Sequence, residues 1–296
     1  MFSRKDQIFG SLLVLPSLIA VGIFVYGFIF WSVRVSFSQW KGLTPDYTFV
    51  GLSNYINLLS DPRFMIDIRN TVIFTLVFVL GSLLIGLSLA ILLDQKLPGE
   101  AFFRSLFLFP MAISFIVTGV VWRWLMNPAT EATRMSGFNL IFQSLGLDFL
   151  INTWHLTPTY GMAAIALAAI WQMSGYTMAL YLGGLRSVSD ELREAARVDG
   201  ASEFQVYRHI ILPMLWPVTL SAVIILGHIS LKVFDLIIAV AGKQLPLDVP
   251  AIYMWQTTFD GLFYGRGASI GILLLISVAV LIIPYLYNSL RSEREL

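Results

Sequence analysis

EAARVDGASEFQVYRHIILPMLWP, Glu194 to Pro217, is the one charged segment set between long apolar runs of a 296-residue chain. Four arginines, Arg186, Arg193, Arg197 and Arg208, fall in it or just ahead of it. Ser189, followed by Asp190 and Glu191, can cap a helix start and place carboxylates at the positive end of its dipole. Gly200 suits the left-handed residue that ends such a helix. Ser202 and Gln205 have the capping-box spacing of a second helix. Pro213 and Pro217 fall where that helix passes into the next apolar run. The stretch therefore reads as a helix–turn–helix outside a membrane, between two spans. Leu192, Ala195 and Ala196 share a face of the first helix; Phe204, Tyr207 and Ile211 share one of the second. Those faces must be buried against the chain's own span ends, the lipid surface or a partner, and the residues alone leave these readings level.

The composition supports a membrane setting. The chain is 57% hydrophobic and 12% charged, against about 45–50% and about 25% for soluble domains. The apolar excess is gathered into runs expected to span at 8–33, 71–93, 105–126, 160–185, 214–241 and 268–289. The expected fold class is all-α: a polytopic membrane protein with six transmembrane helices and an inside loop, 186–213, between spans 4 and 5. One domain over 1–296 is the simplest organisation. The first run is too long for a signal-peptide core and lacks a small-residue cleavage site, so a signal peptide is not expected. A net charge of +1 implies no nucleic-acid partner, and the absence of cysteine rules out disulfides and thiolate metal sites.

Orientation follows from lysine and arginine placement. With the N-terminus inside, the inside segments hold Arg4, Lys5, Lys96, Arg104, Arg186, Arg193, Arg197, Arg208, Arg291 and Arg294, ten of nineteen basic residues. Both termini and the 186–213 loop are then cytoplasmic. Outside, Leu52, Tyr55, Ile56 and Leu59 recur at helical spacing, and Phe138 to Leu150 is apolar enough for a surface or re-entrant helix. Pro110 is expected to kink span 3.

Glu194–Ala201, followed by Ile210-Ile211-Leu212-Pro213 at the spacing seen here, resembles the EAA loop of membrane subunits of bacterial ABC importers. The closer resemblance is to binding-protein-dependent sugar permeases of the maltose-transporter type. It extends to FVGLSNYINLLSDPRF, RSLFLFPMAISFIVTGVVWRWLMNP and SLKVFDLI, and so to nearly the whole chain. The resemblance implies that Glu194, Ala195, Ala196, Asp199, Gly200, Ala201, Tyr207, Ile210, Leu212 and Pro213 couple the permease to an ATPase. Tyr207 stands where the family often has Phe, and GKQLPLDVP at 242–250 where many relatives have a glycine-rich turn. The resemblance further implies a second homologous permease, two ATP-binding subunits holding ATP and Mg, a soluble sugar-binding protein, and the bacterial or archaeal cytoplasmic membrane.

The chain has no GxxxxGK[ST] phosphate loop, no HExxH, no GxSxG and no clustered metal ligands, so ATP hydrolysis and other catalysis are not expected of it. For a substrate path, Trp171, Gln172, Ser174 and Tyr176 place rings, an amide and hydroxyls near the middle of span 4, where transporter sites commonly lie. Hydrogen bonding between helices is the competing reading. Lys232 and Asp235, three apart in span 5, either line the path or form a structural ion pair on one helix face, the second being favoured. Three functions compete: a subunit of an ATP-driven importer, an ion-gradient-driven secondary transporter, and a structural membrane protein. The inside loop and the missing ATPase favour the first.

Overall fold

The computed structural model describes residues 4–95, 98–127, 129, 131 and 134–292. Of the basic residues assigned to the inside, Lys96 and Arg294 lie outside the described residues, as do the side chains of Arg4, Lys5 and Arg291. The described chain is helical, with a lone antiparallel bridge between Ser38 and Phe49. Among the described residues, four helices are long and apolar enough to cross a membrane: Leu13–Ser36, Pro62–Asp94, Gly161–Ser187 and Tyr264–Tyr287. Two bent pairs, Glu100–Ala112 with Phe115–Leu125 and Glu203–Met214 with Trp216–Leu231, raise the number to six if each pair is one span. The chain divides into two compact units, 1–64 with 253–276 and 65–252 with 277–296.

In the first unit, α1 (Arg4–Val21), a π turn and α2 (Phe28–Ser36) run on as one helix. None of its most apolar stretch is buried; burial begins at its end, with Val35 and Ser36. The last carbonyls of α2 need donors. Asn54 supplies them, bonding the Ser36 and Ser38 oxygens at 2.9 Å each, and Ser269 adds a third bond to Ser36 at 3.0 Å. Asn54 lies on α3 (Ser53–Leu59), the short helix expected in the first outer loop. Its orientation differs from the expected apolar stripe. Leu58 is buried, while Leu52, Ile56 and Leu59 face out, because Asn54 and Tyr55 must turn toward α2. Just beyond, Asp61 accepts from Tyr253 at 2.7 Å, from the Arg63 amide at 2.9 Å and from Arg266. Burial pushes its pKa up, but these donors together hold the carboxyl below its ordinary value.

In the second unit, the central element is α8 (Gly161–Ser187), whose apolar window is 67% buried against 33% for α4 (Pro62–Asp94). Its sequence is rich in Gly and Ala, which let neighbouring backbones approach. At Gly175 the approach is closest: an added Cβ would sit 1.8 Å from the Phe107 carbonyl oxygen of α5 (Glu100–Leu108).

Two expected spans are not single helices. The run at 105–126 breaks by 97° between α5 with its following 3-10 turn and α6 (Phe115–Leu125). Pro110 lies in that turn, Ile113 and Ser114 are extended, and the Ser114 hydroxyl caps α6 by accepting from Val117. A sharp turn replaces the expected kink because two residues leave the helix, not one. The run at 214–241 is also divided, into α12 (Trp216–Leu231) and α13 (Asp235–Ala241), with Lys232–Phe234 outside both. The runs at 8–33, 71–93, 160–185 and 268–289 correspond to continuous helices. Phe138–Leu150 forms α7 (Gly137–Ser144) followed by a 3-10 turn.

Gly175→Ala drives a methyl into the Phe107 carbonyl, which belongs to the backbone and cannot swing aside. The expected loss is about 1–3 kcal/mol, the cost of overpacking a tight core. It would be read as a lowered thermal midpoint of the purified protein in detergent; an unchanged midpoint would mean that α5 and α8 do not cross there.

Candidate functional site

The 186–213 loop folds into α9 (Asp190–Val198), a turn, and α10 (Glu203–Val206), which continues through a π turn into α11 (Leu212–Met214). Ser189 occupies the N-cap position but its side chain makes no capping bond, so the carboxylates of Asp190 and Glu191 are what favour the start of α9. The turn is a Schellman motif: Gly200 has φ +82°, its amide bonds Arg197 O, and the Ala201 amide bonds Ala196 O, each at 3.0 Å. The capping box forms in full. The Ser202 amide bonds Gln205 Oε1 at 2.8 Å, and the Gln205 amide bonds the Ser202 hydroxyl at 3.4 Å.

One side of this unit is seated on the second unit's own helices. Ala196, Val206, Ile211 and Leu215 are buried together with Ala90 and Leu93 of α4 and Tyr181, Leu182 and Leu185 of α8. Arg193 pairs with Asp94 at the end of α4 at 2.8 Å and donates to the Leu185 carbonyl of α8 at 3.0 Å. Arg186 pairs with Glu100 at 2.6 Å, and Arg197 with Glu203 at 2.7 Å. That last bond holds the Glu203 carboxyl below its ordinary value and raises Arg197 above its own. Burial, and after it the Asp94 charge, raises the Tyr207 phenol.

The other side is open. Glu194, Ala195, Asp199, Gly200, Leu212 and Pro213 are exposed, Ala201, Tyr207 and Ile210 are half-buried, and Ala196 alone of the ten named residues is buried. Two residues stand out that are not among the ten named for coupling: Val198 is 87% exposed and Phe204 71%. An apolar residue next to Asp199 at the end of a charged helix was the available signal for Val198. Phe204 was grouped with Tyr207 and Ile211 as one stripe, but the π turn rotates the helix so that Ile211 is buried while Phe204 points outward. Between α9, α10 and the end of α4 lies a polar cavity of about 560 Å³, lined by Asp94, Arg193, Glu194, Arg197, Glu203 and Tyr207.

The span-4 residues separate. Trp171 is 41% exposed, with its ring 6.1 Å from that of Trp122. Tyr176 is half-buried. Gln172 and Ser174 are buried. Gln172 Nε2 bonds the Ile113 carbonyl at 2.5 Å, and the Ser174 hydroxyl bonds back to Trp171 O at 3.2 Å. Gln172 thus supplies a donor to the extended backbone at the α5–α6 break, the helix-to-helix bond that was the competing reading. Lys232 and Asp235 do not form the expected ion pair. Their three-residue spacing gives a shared face only on an unbroken helix, and the helix stops between them. Both instead line a cavity of about 230 Å³ together with Phe74, Phe78, Phe115 and Phe234. The sequence gives no notice of this break, since neither Pro nor Gly occurs at 230–236.

Comparisons with known proteins bear on this geometry. The family described as binding-protein-dependent transport system inner membrane component matches residues 82–292. A probable ABC transporter permease of Pyrococcus horikoshii is 44% identical over 96% of each chain. The xylose/arabinose import permease of Haloferax volcanii is 36% identical over 97% of this chain and 88% of its own. The trehalose/maltose transport permease of Thermococcus litoralis is 32% identical over 95% and 94%. In fold, the chain is similar to a crystal structure of a bacterial ABC transporter importing the acidic polysaccharide alginate, with TM-score 0.79, 21% identity, and 97% of this chain and 96% of that one covered.

The Arg193–Asp94 pair is largely removed from water, with side chains 15% and 8% exposed. Asp94→Ala should cost about 3–5 kcal/mol, because it strands a buried charge. The double variant Asp94→Ala/Arg193→Met should recover part of that loss. Thermal midpoints of the two variants check this, and equal midpoints would show that the pair does not seat the loop.

Proposed function

Because the chain belongs to the family of binding-protein-dependent transport system inner membrane components, we propose that it is the permease subunit of an ATP-driven ABC importer that moves a mono- or small oligosaccharide. The observation that carries this reading is the two-sided loop. One face is fixed to the ends of α4 and α8, and the other presents Val198 and Phe204 to the exterior. A rigid base with an exposed apolar face is what an element needs if it is to receive force from a docked subunit and pass it to the spans.

In this mechanism the whole chain acts as one permease domain in a bacterial or archaeal cytoplasmic membrane, with both termini inside. It pairs with a second homologous permease over two ATP-binding subunits, which hold ATP and Mg. A soluble binding protein delivers the sugar outside. In support, a second crystal structure of similar fold, at TM-score 0.78, is of a bacterial alginate ABC transporter in complex with an alginate pentasaccharide-bound periplasmic protein. Closure of the ATPases displaces α9 and α10. Arg193 transmits that displacement to α4 and α8 at once, since it bonds both. Alternating access follows as the helices rock. Lys232 and Asp235 are the path residues the geometry favours, because they open on a cavity walled by aromatic rings suited to sugar CH faces. Trp171 and Tyr176 keep partial exposure compatible with that path. The rival reading, an ion-driven secondary transporter, is separated by its energy source.

Phe204→Asp should reduce co-purification of the ATPase and sugar uptake at least tenfold. The thermal midpoint should stay close to that of wild type, because the side chain is exposed and surface changes usually cost within about 0.5 kcal/mol. Normal uptake in this variant would remove the docking face from the mechanism. Uptake that persists under ATP depletion with the ion gradient intact would favour the secondary transporter.

A further inference from the structure

A groove of about 400 Å³ lies between α2 and the last helix within the first unit, lined among others by Phe28, Trp31, Val35, Met254, Phe259 and Ile272. Its walls are aromatic and aliphatic, and it belongs neither to the loop that faces the ATPase nor to the cavity holding Lys232 and Asp235. One end carries an aromatic collar. The Tyr264 ring, on the groove wall, lies 4.8 Å from Trp40, and Trp40 lies 6.0 Å from Trp31 and 5.4 Å from Tyr47. The backbone fixes this collar: Gly265 N bonds Trp40 O at 3.0 Å, and Gly42 N bonds Leu262 O at 2.8 Å.

Two cations lie beside these rings, one on the collar's Tyr47 and one on Phe263, the residue before Tyr264. The Arg34 guanidinium sits 4.8 Å from the Tyr47 ring centroid, and the Lys41 ammonium 4.4 Å from that of Phe263. Neither pairs with a carboxylate among the described residues. An apolar slot that ends in tyrosines, tryptophans and unneutralised cations has the polarity of a phospholipid read from tail to headgroup. A phosphate would give both charges a counterion, which a purely apolar helix of a second subunit would not.

The geometry points to a bound membrane phospholipid: one acyl chain in the groove and an anionic headgroup phosphate against Arg34 and Lys41. With the N-terminus inside, this is a lipid of the outer leaflet. Its chain would lie between the first and last spans of the unit, so that it acts as part of the packing between them.

The test uses the full chain, purified with the subunits that accompany it and reconstituted in nanodiscs. The discs carry a phosphatidylglycerol with a photoreactive group on its acyl chain, or the phosphatidylcholine counterpart, and labelled peptides are mapped by mass spectrometry. Wild type should be labelled at 28–35 and 267–275, at least threefold more by the anionic lipid. Ala268→Trp fills the groove from its own wall and should lower labelling there about tenfold, with labelling of the exposed apolar side of α6, at Ile116 and Val120, unchanged as the folding control. Arg34→Gln/Lys41→Gln should abolish the headgroup preference but keep chain labelling. Equal groove labelling in wild type and Ala268→Trp, no headgroup preference in wild type, or crosslinks from the groove to another subunit in place of lipid would each overturn the proposal. Should Ala268→Trp fail to fold, the charge variant still decides it.

Discussion

Arg193 divides its guanidinium between a carboxylate at the end of α4 and a carbonyl near the end of α8, and the seating of the 186–213 loop is organised by that division. A guanidinium withdrawn this far from water is tolerated only when opposite charge and further acceptors replace its hydration. Asp94 supplies the charge and Leu185 the acceptor. The requirement fixes where α9 begins and how it is rotated. Ala196 then faces inward onto the core with Val206 and Ile211, and Val198 faces outward. The same bonds that stabilise the loop therefore determine which of its faces is free to meet a partner.

A second constraint shapes the interior. Non-helical backbone at membrane depth must find hydrogen bonds within the protein. The α5–α6 break meets this by a local cap from Ser114 and a bond from Gln172 across to Ile113. Breaks of this kind open space that continuous helices would close. The gap at Lys232–Phe234 adjoins a cavity, and there two ionisable side chains meet a wall of phenylalanines. The proposed sugar path rests on that mixture of aromatic faces and ionisable groups.

Much of the loop could be read in advance. The capping box and the Gly200 turn are local features, each decided by a few residues and their own backbone. The long apolar runs were likewise legible, because a hydrophobic helix announces itself by composition alone. Contacts over long sequence separation were not legible. Gln172 and Ile113 lie 59 residues apart, and Arg193 and Asp94 lie 99 apart. Gln172 looked like a path residue because a buried amide suits either a sugar or a backbone break, and the sequence carries no sign of which it will meet.

By itself the sequence determined a helical membrane chain, a capped helix–turn–helix between late apolar runs, and the pattern that places it among binding-protein-dependent permeases. Those follow from hydrophobicity and from hydrogen bonds closed within a few residues. Only the tertiary structure decided that Lys232 and Asp235 are separated by a helix break, that Ala196 is buried while Phe204 is not, and that α5 and α8 touch at Gly175. Each of these depends on which distant surface a side chain meets, and helical periodicity fixes a residue's angle about its own axis without fixing what lies opposite.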